Sequence, residues 1–75
     1  MLLNDLVRGL EIFRLHFNDK GNGYHLSAEH EELHVAKTDI PLSQERVEEL
    51  RGYGWFQGES EEEVYDPTKP WMCYV

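Results

Sequence analysis

Residues 2–17 set apolar side chains at spacings of three and four: Leu3, Leu6, Val7, Leu10, Phe13 and Phe17. A strand turns successive side chains to opposite faces, whereas a helix gathers this spacing on one side, so the segment reads as an amphipathic helix. Leu2 and Ile12 widen the stripe, and Asp5, Arg8, Arg14 and His16 are mostly turned elsewhere. Gly9 weakens the helix slightly without ending it. The run NDKGNG (18–23) ends it, since Asn, Asp and Gly supply turn conformations and positive φ.

YHLSAEHEELHVAK (24–37) can be read two ways. As strands, it forms a hairpin turning near Glu29–Glu32, with Tyr24, Leu26, Leu33 and Val35 pointing into the core. As a helix capped by Ser27, it would bury Ala28, Glu31, Glu32 and Val35, a poor apolar face. The strand reading is preferred, although the turn lacks an Asn-Gly signal. TDIPLSQERVEELRGYG (38–54) is a second helix. Ser43 caps it, Leu42 and Val47 stand at staple spacing, Val47, Leu50 and Tyr53 form its buried side, and Gly52 and Gly54 close it. WFQ (55–57) starts a strand, residues 58–70 form an acidic connection, and WMCYV (71–75) is a final strand. The expected fold class is α+β: one domain over residues 1–75 in α-β-β-α-β-β order, an antiparallel sheet with two helices packed on one face.

At 75 residues the chain lies near the lower size limit for a core without staples, but it is 40% hydrophobic and 12% aromatic, enough to fold. Cys73 is the only cysteine, which excludes an intramolecular disulfide and a cysteine-based zinc cluster and suits a buried, reduced thiol in a cytoplasmic protein. No apolar run of about 18 residues would span a membrane, and MLLNDLVRGLEIF lacks the basic start and cleavage site of a signal peptide. Fifteen acidic against seven basic residues, net −8, would repel nucleic acid and anionic lipid alike. Protein partners with basic grooves fit better.

His30-Glu31-Glu32-Leu33-His34 matches H-E-x-x-H, in which two histidines bind zinc and the glutamate activates a water. The chemistry needs a helix, which sets residues i and i+4 side by side; along a strand they stand roughly 13 Å apart. The extended form also requires Gly at 37 and His at 40, where this chain has Lys37 and Ile40. Glu45, Glu48 or Glu49 could supply a third ligand instead. With four His and eleven Glu in the chain, a chance match is easy. The reading adopted is therefore no metal, no cofactor and no catalytic residue. The alternative is a minimal zinc-binding or metallopeptidase-like protein, with His30 and His34 as ligands and Glu31 as base.

Three further features are candidates. If Leu26 pairs with Leu33, His25 lies opposite His34 on the solvent face and the pair could titrate near neutral pH. ESEEEVYD offers Glu59, Glu61, Glu62, Glu63 and Asp66, carboxylates that could meet a basic groove or simply keep the protein in solution. Trp55, Phe56, Trp71 and Tyr74 read mainly as core, but a partly covered sheet could leave Trp55 or Trp71 exposed as a protein-binding anchor.

SAEHEELHVA, PLSQERVEELRGYGWF and the terminal WMCYV together resemble a type of small acidic protein encoded in bacteriophage genomes. In that type a helix comes first, an A-x-H-[DE] stretch leads into a strand, an LS-x-E helix ends at Gly-Trp, and an aromatic-rich strand finishes the chain. The resemblance spans most of residues 5–75. It implies a phage or prophage origin and an α+β fold, and brings no established activity. It also weakens the zinc reading, since Glu31 corresponds to an acidic position and His34 to no demanded histidine.

The sequence thus leads to a non-enzymatic, cytoplasmic protein (host cytosol, if phage-encoded) that binds another protein without contacting nucleic acid or membrane. One version inhibits a host defence or nucleic-acid-processing factor through its acidic surface. A further reading is a homo-oligomeric part, with the terminal strand or an exposed Trp at the interface.

Overall fold

A computed structural model describes residues 1–58 and 64–75. Helix α1 spans Leu3–Leu15. It starts without a side-chain cap, but Asp5 in its first turn and Arg14 in its last complement the helix dipole. The His16 ring donates from Nδ1 to the carbonyl of Ile12 at 2.7 Å, satisfying one acceptor that the helix end leaves open.

Helix α2 covers Gln44–Gly52. The Ser43 hydroxyl accepts from the Arg46 N–H, and Leu42 and Val47 are both buried, as the staple spacing requires. The far end carries more consequence. Gly54 takes φ 100, its N–H donates to the Arg51 carbonyl, and the Trp55 N–H reaches back to that of Leu50. These two bonds make a Schellman motif, which reverses the chain and swings Trp55 inward beside Leu50. Both side chains are buried, and they belong to one core with Phe13, Val47, Trp71 and Cys73.

Trp55 determines how α1 is rotated. Its indole lies directly on Gly9, where an added Cβ would overlap the indole nitrogen. The helix therefore buries Gly9, Ile12 and Phe13, with Phe17 just beyond its end. Leu6 and Leu10 are half-buried, and the expected stripe is wrong at its outer margin, because Leu3 and Val7 face solvent. Phe13 meets Trp55 edge-on at 4.9 Å between centroids and Trp71 at 5.8 Å.

Strands β1 (Leu26–Glu29) and β2 (Glu32–Val35) form an antiparallel hairpin, and β3 (Trp71–Tyr74) pairs antiparallel with β2, giving the order β1-β2-β3. Across the hairpin Leu26 faces Val35 and Ala28 faces Leu33, two residues away from the expected register. The two-residue loop His30–Glu31 makes the shift possible, with His30 at φ 54. A shift of two preserves which face each side chain occupies. Val35 is buried and Leu33 half-buried, but Leu26 and Tyr24, expected in the core, are exposed.

The strand expected at 55–57 is reduced to a single bridge: Phe56 exchanges both backbone hydrogen bonds with Met72. Its neighbours have other tasks. Trp55 fills the core, and the buried Gln57 amide donates to the carbonyls of Asp66 and Lys69 while accepting from the Asp66 N–H. That side chain clamps the turn preceding β3, and the Tyr65 hydroxyl ties the same segment to Leu42.

Gly9→Ala tests this packing. At an ordinary helical site the change stabilises by about 0.5–1 kcal/mol; here overpacking against Trp55 is expected to cost about 1–3 kcal/mol. Urea denaturation of the two proteins gives the sign.

Candidate functional site

Residues 30–34 are not helical. His30 and Glu31 form the hairpin loop and Glu32–Val35 is β2, so the i, i+4 geometry on which H-E-x-x-H chemistry depends is missing. His34 instead points to the outer face of the sheet, where its Nε2 lies 3.1 Å from Glu32 Oε2. Among the described residues, no group of three or more His, Cys, Asp or Glu side chains is placed to share a metal ion.

The expected pairing of His25 with His34 is also corrected. With the register shifted, His34 stands opposite Ser27. His25 stacks flat on Phe17, centroids 3.8 Å apart, and its Nε2 approaches Asp19 Oδ2 at 2.7 Å. The hydrogen bond from His25 leads the effects that hold the Asp19 carboxyl below its usual pKa, and the Gly21 N–H adds to it. Positive φ at Lys20 and Gly21 folds the loop back so that this contact can form.

Of the anchors expected for a protein partner, Trp55 and Trp71 are each 1% exposed, so neither presents a surface in this structure. Glu59, Glu61, Glu62 and Glu63 lie outside the described residues. Asp66 is half-buried and bound locally: Thr68 donates to it from both hydroxyl and N–H, which lowers its pKa. Cys73 is fully buried, and desolvation pushes its thiol pKa up, the opposite of an activated nucleophile.

Two surfaces stand out instead, and the first is built from Phe56 and Tyr74, which the sequence suggests are mainly core but which are half-buried and exposed here. On the outer face of the sheet, Phe56 and Tyr74 lie 5.5 Å apart beside Met72, next to the His34–Glu32 pair. The alternation in WMCYV signals this face, since Trp71 and Cys73 turn inward while Met72 and Tyr74 turn outward. The second surface is an open cleft of about 560 Å³ between α1 and α2, lined by Val7, Arg8, Glu11, Leu15, Arg46 and Glu49 among others. There Glu49 accepts from Arg46 and from the Tyr53 hydroxyl, each at 2.6 Å. The Tyr53 bond, then the Arg46 bond, lowers the Glu49 pKa, and the same contacts raise those of Tyr53 and Arg46.

No family model, curated protein or solved structure matches the chain. No helix among the described residues is long and apolar enough to cross a membrane.

The Asp19–His25 contact gives a pH-dependent expectation. Because the folded state lowers the Asp19 pKa, the contact stabilises the protein above the ordinary carboxylate range and is lost as pH falls through the depressed value. In a His25→Leu variant the Asp19 side-chain carboxyl should titrate at higher pH, by NMR, than in the wild type. An unmoved midpoint would show that His25 is not the cause.

Proposed function

We propose that this chain is a non-enzymatic protein-binding module whose partner presents a basic surface to the outer face of its sheet. The observation that carries the reading is the coincidence of an aromatic patch with the acidic part of the molecule. Residues 1–25 contain three acidic and three basic side chains, so the whole net charge of −8 falls on residues 26–75. Phe56, Met72 and Tyr74 belong to that acidic part, and Glu29 and Glu32 lie on the same face of the sheet. Aromatic and Met side chains give such a contact its affinity, and surrounding carboxylates steer a basic partner and disfavour acidic ones.

In this reading the bridge at Phe56 is a shortened fourth strand, and both helices cover the inner face, leaving the outer one to the partner. The shared core of α1, α2, Val35, Trp71 and Cys73 supports that packing. A phage origin and a nucleic-acid-processing or defence protein of the host as target are part of the same proposal, since such targets carry phosphate-binding surfaces.

The test is capture from host lysate by tagged wild type and by a Tyr74→Ala, Glu32→Gln variant. A basic protein should bind the wild type at about 0.1 M salt, release as the Debye length shrinks from about 10 Å toward about 3 Å at 1 M, and be lost with the variant. Capture that is indifferent to salt and to both substitutions would refute the proposal.

A further inference from the structure

The side of α1 opposite Gly9 carries Leu3, Val7 and Leu15, which are 72%, 45% and 61% exposed. With Glu11 they stand four residues apart, the spacing that forms one continuous ridge on a helix. A second ridge runs beside it through Asn4, Arg8, Ile12 and His16. The cleft between α1 and α2 lies along the groove separating these ridges, for its α1 lining comes from both.

We infer that a second copy of this chain occupies the groove, with the two α1 helices antiparallel and related by a two-fold axis at the level of Gly9. The order Leu3, Val7, Glu11, Leu15 nearly complements itself when reversed: Leu3 meets Leu15 of the other copy, and Val7 meets the aliphatic stem of its Glu11. Packing one four-residue ridge into the matching groove of another is the commonest way for helices to cross, at about −50°.

Charge selects the same occupant. The Glu11 carboxylate of one copy enters the other's cleft and meets Arg8 there, on a wall that also carries the Arg46–Glu49 pair. By symmetry the contact forms twice. The N-terminal third of the chain is charge-balanced while the remainder carries −8, so two copies of an acidic protein approach with least repulsion along α1. A single helix pair buries less than the ~1,200–2,000 Å² of a standard stable interface, so the dimer is reversible and concentration-dependent.

Sedimentation equilibrium of the full chain, from micromolar to millimolar at about 0.15 M salt, tests the inference without any other partner. The wild type should pass from monomer to dimer across that range. Arg8→Glu and Glu11→Arg should each weaken association at least about tenfold, because each places like charges at both symmetric contacts. An equimolar mixture of the two variants should recover dimer, since each Glu at 8 then faces an Arg at 11 and each Glu at 11 keeps its Arg8. Circular dichroism confirms that both variants are folded; if one is not, Val7→Asp replaces the pair and should abolish the dimer. A wild type that stays monomeric at millimolar concentration overturns the inference. So do variants that dimerise as well as the wild type, and a mixture of folded variants that stays monomeric.

Discussion

The contact between the Trp55 indole and the backbone of Gly9 organises this small protein. A chain of this length has few large side chains with which to fill a core, and Trp55 is among the largest of those fully buried. It reaches its position because the Schellman turn at Gly54 brings it back under α2. It can stay there because residue 9 has no side chain. Among the described residues the Trp55 Nε1 proton finds no acceptor, an arrangement that normally costs about 1–3 kcal/mol. Edge-on packing with Phe13 and complete removal of a large ring from water offset that cost.

The rotation of α1 about its axis follows from this contact. With Gly9 turned inward, Ile12, Phe13 and Phe17 enter the core, and the Leu3, Val7 and Leu15 side is left facing water. An apolar ridge on the outside of a marginal domain is thus a consequence of how the inside is filled. The charge-balanced α1 lies in the first third of the chain and the aromatic outer sheet face in its acidic remainder, so the molecule presents two surfaces of different chemistry.

Local signals were legible and long-range ones were not. Ser43, the Leu42–Val47 pair and Gly54 mark the ends of α2 through interactions within a few residues, and α1 stops at Leu15, shortly before NDKGNG. Gly9 reads as a mild helix weakener because its purpose depends on a residue 46 positions away. The hairpin faces followed from alternation, whereas its register depended on a loop without an Asn-Gly signature, and His25 went to Asp19 rather than to His34. For the proposed binding surface, WMCYV holds the needed parity, but bulk alone suggests the core for Tyr74 as much as for the two Trp residues, and Met72 carries no signal of its own. The acidic candidates Glu59, Glu61, Glu62 and Glu63 fall outside the described residues, leaving Asp66 and the sheet's own carboxylates to be placed.

The packing of Trp55 on Gly9 can be observed directly by NMR. The account predicts nuclear Overhauser contacts from the Trp55 indole to the Gly9 α-protons and a ring-current shift of those protons. It also predicts an indole N–H that exchanges with water far more slowly than a surface tryptophan's. A rapidly exchanging indole with no contact to Gly9 would contradict it.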